Sequence, residues 1–243
     1  MMAQKPSGSV AFAGFEPAAL QFLADLAANN ERAWFKPRKI EYERLLKVPM
    51  AALCVALADR FSTLRLPLEA DPERSPFRIH RDVRFSADKS PYKTHAAAQF
   101  PWIDSPGDEL RAPGTVGAYF HLEPGNVFVG GGMWRPEKER LAAFRQLVDD
   151  DPSAVFRAIE DDRFVDVFDS VEGDSLTRNP RGYPPGHPYG ELLRLKNVLF
   201  SRRLADRDVF SPSLPDIIAR DLDAARPVLS LLDRLVPNIR TAV

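Results

Sequence analysis

The sequence predicts one α+β domain, a central and mainly antiparallel sheet flanked by N-terminal and C-terminal helices. Helical periodicity occupies both ends of the chain, strand-like runs gather between residues 77 and 129, and the last two of those runs are joined by a hairpin signal. The 243 residues are 44% hydrophobic, enough for a buried core. The expected organisation is a mobile tail over 1–11 and a single domain over 12–238.

The elements follow in order. Phe15, Ala19, Phe22, Leu23 and Leu26 have helical spacing, with Pro17 tolerated in the first turn and Asn29-Asn30 as the stop. Asn30 is placed to cap a short helix over 31–35, whose Trp34-Phe35 pair would pin it to the core. Pro37 opens a further helix with Ile40, Leu45 and Leu46 facing inward, and Pro49 opens or kinks the helix over 50–61. Pro67, Pro72 and Pro76 break periodicity and mark a loop. Strand-like runs cover 77–85, 94–101, 116–122 and 126–129, with Glu123-Pro124-Gly125 as the hairpin turn. Helical periodicity returns over 137–148, 152–160 and 189–195. A longer helix over 214–235 closes the chain.

The balance of 33 basic against 34 acidic residues gives a net charge of −1, so there is no global field to gather nucleic acid. The one cysteine, Cys54, sits in an apolar helical pattern and reads as a buried, inert thiol. The first dozen residues lack a signal-peptide pattern, and no run approaches the roughly 18 apolar residues of a membrane helix. A cytoplasmic protein without a membrane partner is expected.

Chemistry is densest over 78–93, where Arg78, Arg81, Arg84, Lys89 and Lys93 accompany His80, Asp82 and Asp88. Read as a strand, Phe77, Ile79, Val83 and Phe85 fall on one face and Arg78, His80, Asp82 and Arg84 on the other. Arg81 shares parity with the apolar set, which predicts a partly buried guanidinium paired with Asp82, Asp88 or another acid. Five bases against two acids leave an excess that suits a phosphate or carboxylate ligand. The alternative is an internal salt-bridge network. Within the group, His80 beside Asp82 is the candidate acid–base pair.

Gly130-Gly131-Gly132 follows a strand and offers backbone N–H groups to an anion, or else marks a bulge or close backbone approach. Ser86-x-x-Lys89 and Ser90-x-x-Lys93 spell a penicillin-binding signature but lack its helix and companion motifs; the hydroxyls suit turns. His80, His95, His121 and His187 show no metal-ligand spacing, so neither metal nor cofactor is expected. Trp34, Trp102 and Trp134 are core candidates before stacking platforms. Common hydrolase and dinucleotide signatures are absent.

Taken together, Asn29-Asn30-x-Arg32-x-Trp34-Phe35, Arg78-x-x-Arg81-Asp82-x-Arg84-Phe85-Ser86-x-Asp88-Lys89-x-Pro91-Tyr92-Lys93, Gly130-Gly131-Gly132, Arg181-Gly182-Tyr183, His187-Pro188 and Leu192-Leu193-x-Leu195-Lys196 resemble the bacterial and fungal family called domain of unknown function 2461. The resemblance implies a shared fold and a shared site, and no particular reaction. Family members tend to carry a lysine-rich approach to the Gly-Tyr pair, where this chain has Arg178-Asn179-Pro180-Arg181. The expected site is a basic, anion-recognising cleft. His80 and Asp82 would be catalytic, and Arg78, Arg81, Arg84, Lys89, Lys93, Gly130, Gly131, Gly132, Arg181 and His187 would bind a small phosphorylated or carboxylated metabolite. The alternative is a binding or scaffold protein whose basic surface meets another protein or a nucleic-acid backbone.

Overall fold

The computed structural model describes residues 11–84, 86–103 and 116–235. The expected tail, Phe85 and the last residues of the expected domain fall wholly or mostly outside them. Helix α1 (Pro17–Ala28) is followed by α2 (Arg32–Phe35), α3 (Lys39–Tyr42) and α4 (Val48–Leu64), the last three linked by a 3-10 turn at Lys36–Arg38 and a π turn at Glu43–Lys47. Strands β1 (Ala96–Pro101), β2 (Val116–Leu122) and β3 (Phe128–Met133) come next. Then come α5 (Lys138–Asp150), α6 (Pro152–Ile159), α7 (Asp162–Phe168), α8 (Gly190–Arg194), β4 (Val198–Arg203), α9 (Asp206–Val209), α10 (Leu214–Ala224) and α11 (Arg226–Arg234). The result is the predicted α+β domain, a four-stranded antiparallel sheet in the order β1-β2-β3-β4 with helices from both ends of the chain. Among the described residues no helix is long and apolar enough to cross a membrane.

Side chains alternate across a strand, so one face of β2 carries Val116, Ala118, Phe120 and Leu122. All four are buried. Helix α11 packs on β2 and β3, α4 on β1, α10 on β3 and α7 on β4, which puts the core on that one face. Each Phe or Leu fully buried there contributes about 1.5–3 kcal/mol.

Several expected elements differ. Of the run expected over 77–85, the described residues 77–84 do not form a strand. Their contacts are single bridges, Pro76 with Ala98 and His80 with Tyr92, because the polar side chains close local turns in place of a ladder. Ile40 faces solvent at 81% exposure, since the turns on either side rotate α3 away from the core. The helix expected over 214–235 breaks at Ala225, because Pro227 lacks an N–H to donate into the preceding turn. Arg226 then donates to the carbonyls of Leu64 and Arg65 at 2.9 and 2.8 Å, capping the end of α4. The Asn30 side chain caps no helix. Its amide donates to Tyr92 O at 2.9 Å and its carbonyl accepts from Tyr92 N–H at 3.0 Å, so it behaves as a strand partner across 62 residues. Phe35 stacks on the Tyr92 ring at 4.2 Å, and the two early motifs are thereby fastened together.

Candidate functional site

The basic segment neutralises much of its own charge. Arg81 pairs with Asp88 and is partly buried, as its parity predicted. Arg84 forks onto Asp82 through Nε at 3.0 Å and Nη2 at 2.6 Å, and these bonds hold the exposed Asp82 carboxyl down to about 2. Arg81 and Ser90 likewise hold Asp88 well below the usual carboxylate range. Lys89 donates to Val83 O at 3.0 Å, and Lys93 lies over the Phe77 ring at 4.7 Å. Arg78 and His80 are exposed, and the His80 ring lies 5.1 Å from that of Tyr92.

The concave surface lies elsewhere, on the sheet face turned away from the helices. There β2 presents Gly117, Tyr119 and His121, and directly opposite on β3 stand Gly132, Gly130 and Phe128. Three glycines on one face leave the middle of the sheet without side chains. β4 adds Leu199 and Ser201, and β1 adds Gln99. Above this bare floor is a cavity of about 770 Å³, the size of a small-molecule site. Its wall is aromatic, with Phe77 6.1 Å and Phe128 5.8 Å from the Tyr119 ring.

The glycine row is required by the strands themselves. Gly132 has φ +119°, and a Cβ there would lie 2.1 Å from Val198 O; at Gly130 it would meet Phe200 O at 2.3 Å. Close backbone approach accounts for both residues, and the cavity is its consequence.

Polar groups gather at both ends. At one, Trp134 is 53% exposed and the Arg135 guanidinium lies 5.4 Å from its ring. Arg135 has a left-handed φ of +48°, and its N–H is held at 2.9 Å by the buried Asn197 side chain. Its guanidinium makes no ion pair with the described residues. Ser201 Oγ donates to Glu172 on the β4 side at 2.6 Å. At the other end, Tyr119 Oη lies 3.1 Å from His121 Nδ1, and His121 Nε2 lies 3.3 Å from Glu123 Oε2. Burial pushes the Tyr119 hydroxyl up to about 12. Burial alone would raise Glu123, but hydrogen bonds from His121 and Asn126 outweigh it and keep the carboxyl below its ordinary value. A carboxylate only accepts, so Nε2 carries the His121 proton and Nδ1 accepts from the tyrosine. His95 lies beside His121, rings 4.5 Å apart, and burial together with that neighbour pushes it down to about 4.

Of the expected site residues, Gly130, Gly131 and Gly132 line the cavity, and Lys93 borders it through Phe77. Arg78, His80, Arg81, Asp82, Arg84 and Lys89 do not line it. Arg181 and His187 lie in another region. His187 donates to Asp149 at the end of α5 at 2.9 Å, and Arg181 is exposed on the adjoining coil. Tyr119, His121, Glu123, His95 and Arg135 were missed as site residues. For Tyr119, His121 and Glu123 the one sequence signal was the shared parity of 117, 119, 121 and 123, which has meaning only once the strand pairing is known.

Fold and site together define an α+β protein with a glycine-floored cleft on the open face of an antiparallel sheet. The chain belongs to the family described as conserved hypothetical protein (DUF2461), whose model matches residues 18–230. No curated protein matches the chain, and neither does any solved structure.

Proposed function

We propose that the protein binds, in the cleft above Gly117, Gly130 and Gly132, a small metabolite with a flat apolar part and a carboxylate or phosphate. The observation that carries this reading is a ligand-sized aromatic cavity with the Arg135 guanidinium at its mouth, unengaged by any described carboxylate. Planar groups stack well on bare backbone flanked by Tyr119 and Phe128, and a guanidinium fork matches an anionic oxygen pair. Arg81 and Arg84 are already engaged by Asp88 and Asp82, which makes Arg135 the stronger anion partner. At the far end the Tyr119 hydroxyl, which donates to His121, keeps an oxygen lone pair that can accept a hydrogen bond from the ligand.

The test is thermal melting with a panel of aromatic carboxylates, phosphates and nucleotides. A true ligand at a hundredfold excess over Kd adds about 2.7 kcal/mol of stability. Selective shifts are expected, lost in Arg135→Ala and in the cleft-filling Leu199→Trp, and kept in Arg84→Ala. Shifts that survive both cleft variants would place the ligand elsewhere, and a panel giving only a uniform salt effect would remove the reading.

A further inference from the structure

The histidines are dispersed in the sequence but not in the fold. β1 pairs with β2 so that Ala97 faces His121 and Ala96 faces Leu122; one step further along the same register sets His95 opposite Glu123. Because 121 and 123 share a face, the ligand atoms of His95, His121 and Glu123 converge within 4.8 Å of one another. The cluster has the surroundings of a supported site. Tyr119 bonds the remote nitrogen of His121, Thr94 Oγ1 donates to Glu123 Oε1 at 3.2 Å, and the Phe128 ring stacks on His121 at 4.8 Å.

We propose that His95, His121 and Glu123 form a binding site for a divalent transition-metal ion at the histidine end of the cleft. Two imidazoles and one carboxylate are a donor set used by zinc and by ferrous iron, and three protein ligands leave coordination positions open; His121 also lines the cavity. Bonds of about 2.0–2.2 Å require the ligand atoms to draw together to roughly 3–3.5 Å, a movement within reach of the half-buried His95 and Glu123 side chains. His121 is the fixed member, buried and clamped by Tyr119 and Phe128. On binding, its ring proton moves from Nε2 to Nδ1, where the tyrosine oxygen accepts it, and the Nε2 lone pair turns to the metal. No net proton is lost from the ring, and Tyr119 becomes the outer-shell partner that metal-bound histidines ordinarily have. The inference goes beyond the ligand reading and does not need it, because it rests on the β1–β2 register and the convergence of these three side chains.

The experiment uses the full chain without an affinity tag, stripped with chelator and then freed of it. Zinc is titrated against a chromophoric competitor, and cobalt(II) is added separately as a spectroscopic probe. One saturable equivalent per chain is expected, with visible d–d absorption from the cobalt form. His95→Ala, His95→Gln and Glu123→Gln should each weaken zinc by about tenfold or more, with unchanged circular dichroism. His80→Ala and His187→Ala should bind as the parent does. Absence of a saturable equivalent in the parent chain, or equal zinc affinity in the folded His95 and Glu123 variants, would overturn the proposal. Neither result bears on the ligand panel, which is run without metal.

Discussion

Asp82 and Arg84 stand two residues apart on an exposed loop, and their geometry decides how the basic segment spends its charge. The unfolded chain has an aspartate value of about 3.9, against about 2 in the fold. As the pH falls, the unfolded state therefore takes up the proton first. The pair's contribution is complete above about pH 4 and is lost as the pH drops toward 2. Carboxyl-carbon NMR should place the Asp82 midpoint near that low value, and Arg84→Ala should return it toward the unperturbed one. An Asp82 that titrates near 4 in the parent protein would show that Arg84 is free for other partners. Cys54, by contrast, meets its expectation of a buried thiol: fully enclosed in α4, its value is pushed up to about 12 by burial.

At the scale of elements, the glycine row of β3 joins fold to cleft. Gly132 combines a positive φ with a Cβ position 2.1 Å from a carbonyl oxygen of β4, so a side chain there must part the strands. Gly132→Ala should cost roughly 2–4 kcal/mol in urea unfolding, from strain plus displaced pairing. Gly125 in the β2–β3 turn has φ +73° and nothing within 4 Å of an added Cβ, so Gly125→Ala should lose only about 1–2 kcal/mol. Equal losses at the two sites would mean that backbone conformation alone explains the row, and that the close approach of β3 to β4 contributes nothing.

At the scale of the whole molecule, an ion pair within the core face ties the helical layer to the sheet. Arg202 of β4 reaches Asp221 of α10, a carboxylate only 2% exposed, with Nε at 2.8 Å. Burial raises the Asp221 value despite its partner, so desolvation outweighs the pairing at this carboxylate. Asp221→Ala should therefore destabilise by about 2–4 kcal/mol through the arginine it strands, while Asp221→Leu with Arg202→Met should recover most of the loss. A double variant as unstable as the single one would show that the ion pair itself stabilises the packing of α10 on the sheet.

The sequence by itself determined the α+β class, the helices at each end, the β2–β3 hairpin, the inert cysteine and the partly buried, acid-paired state of Arg81, because each follows from spacing within a short window; which acid pairs with it, Asp88, came from the fold. It also carried the family resemblance through long local motifs. Only the tertiary structure decided the rest. β4 was not foreseen, since its pairing with β3 spans some 65 residues of intervening helices and coil and leaves no local period. Residues 77–84 alternate like a strand, yet Asp82, and Asp88 a few residues on, accept from backbone N–H groups two residues further along and take the chain into turns. The largest shift concerns the site. Charge density along the chain pointed to residues 78–93, where opposite charges two and seven residues apart find each other first. The cleft arises instead from what strand pairing sets side by side: three glycines from two strands, and His95 against Glu123 across 28 residues. Side chains can converge on a site only through a register, and a register is a property of paired strands that no single stretch of sequence contains.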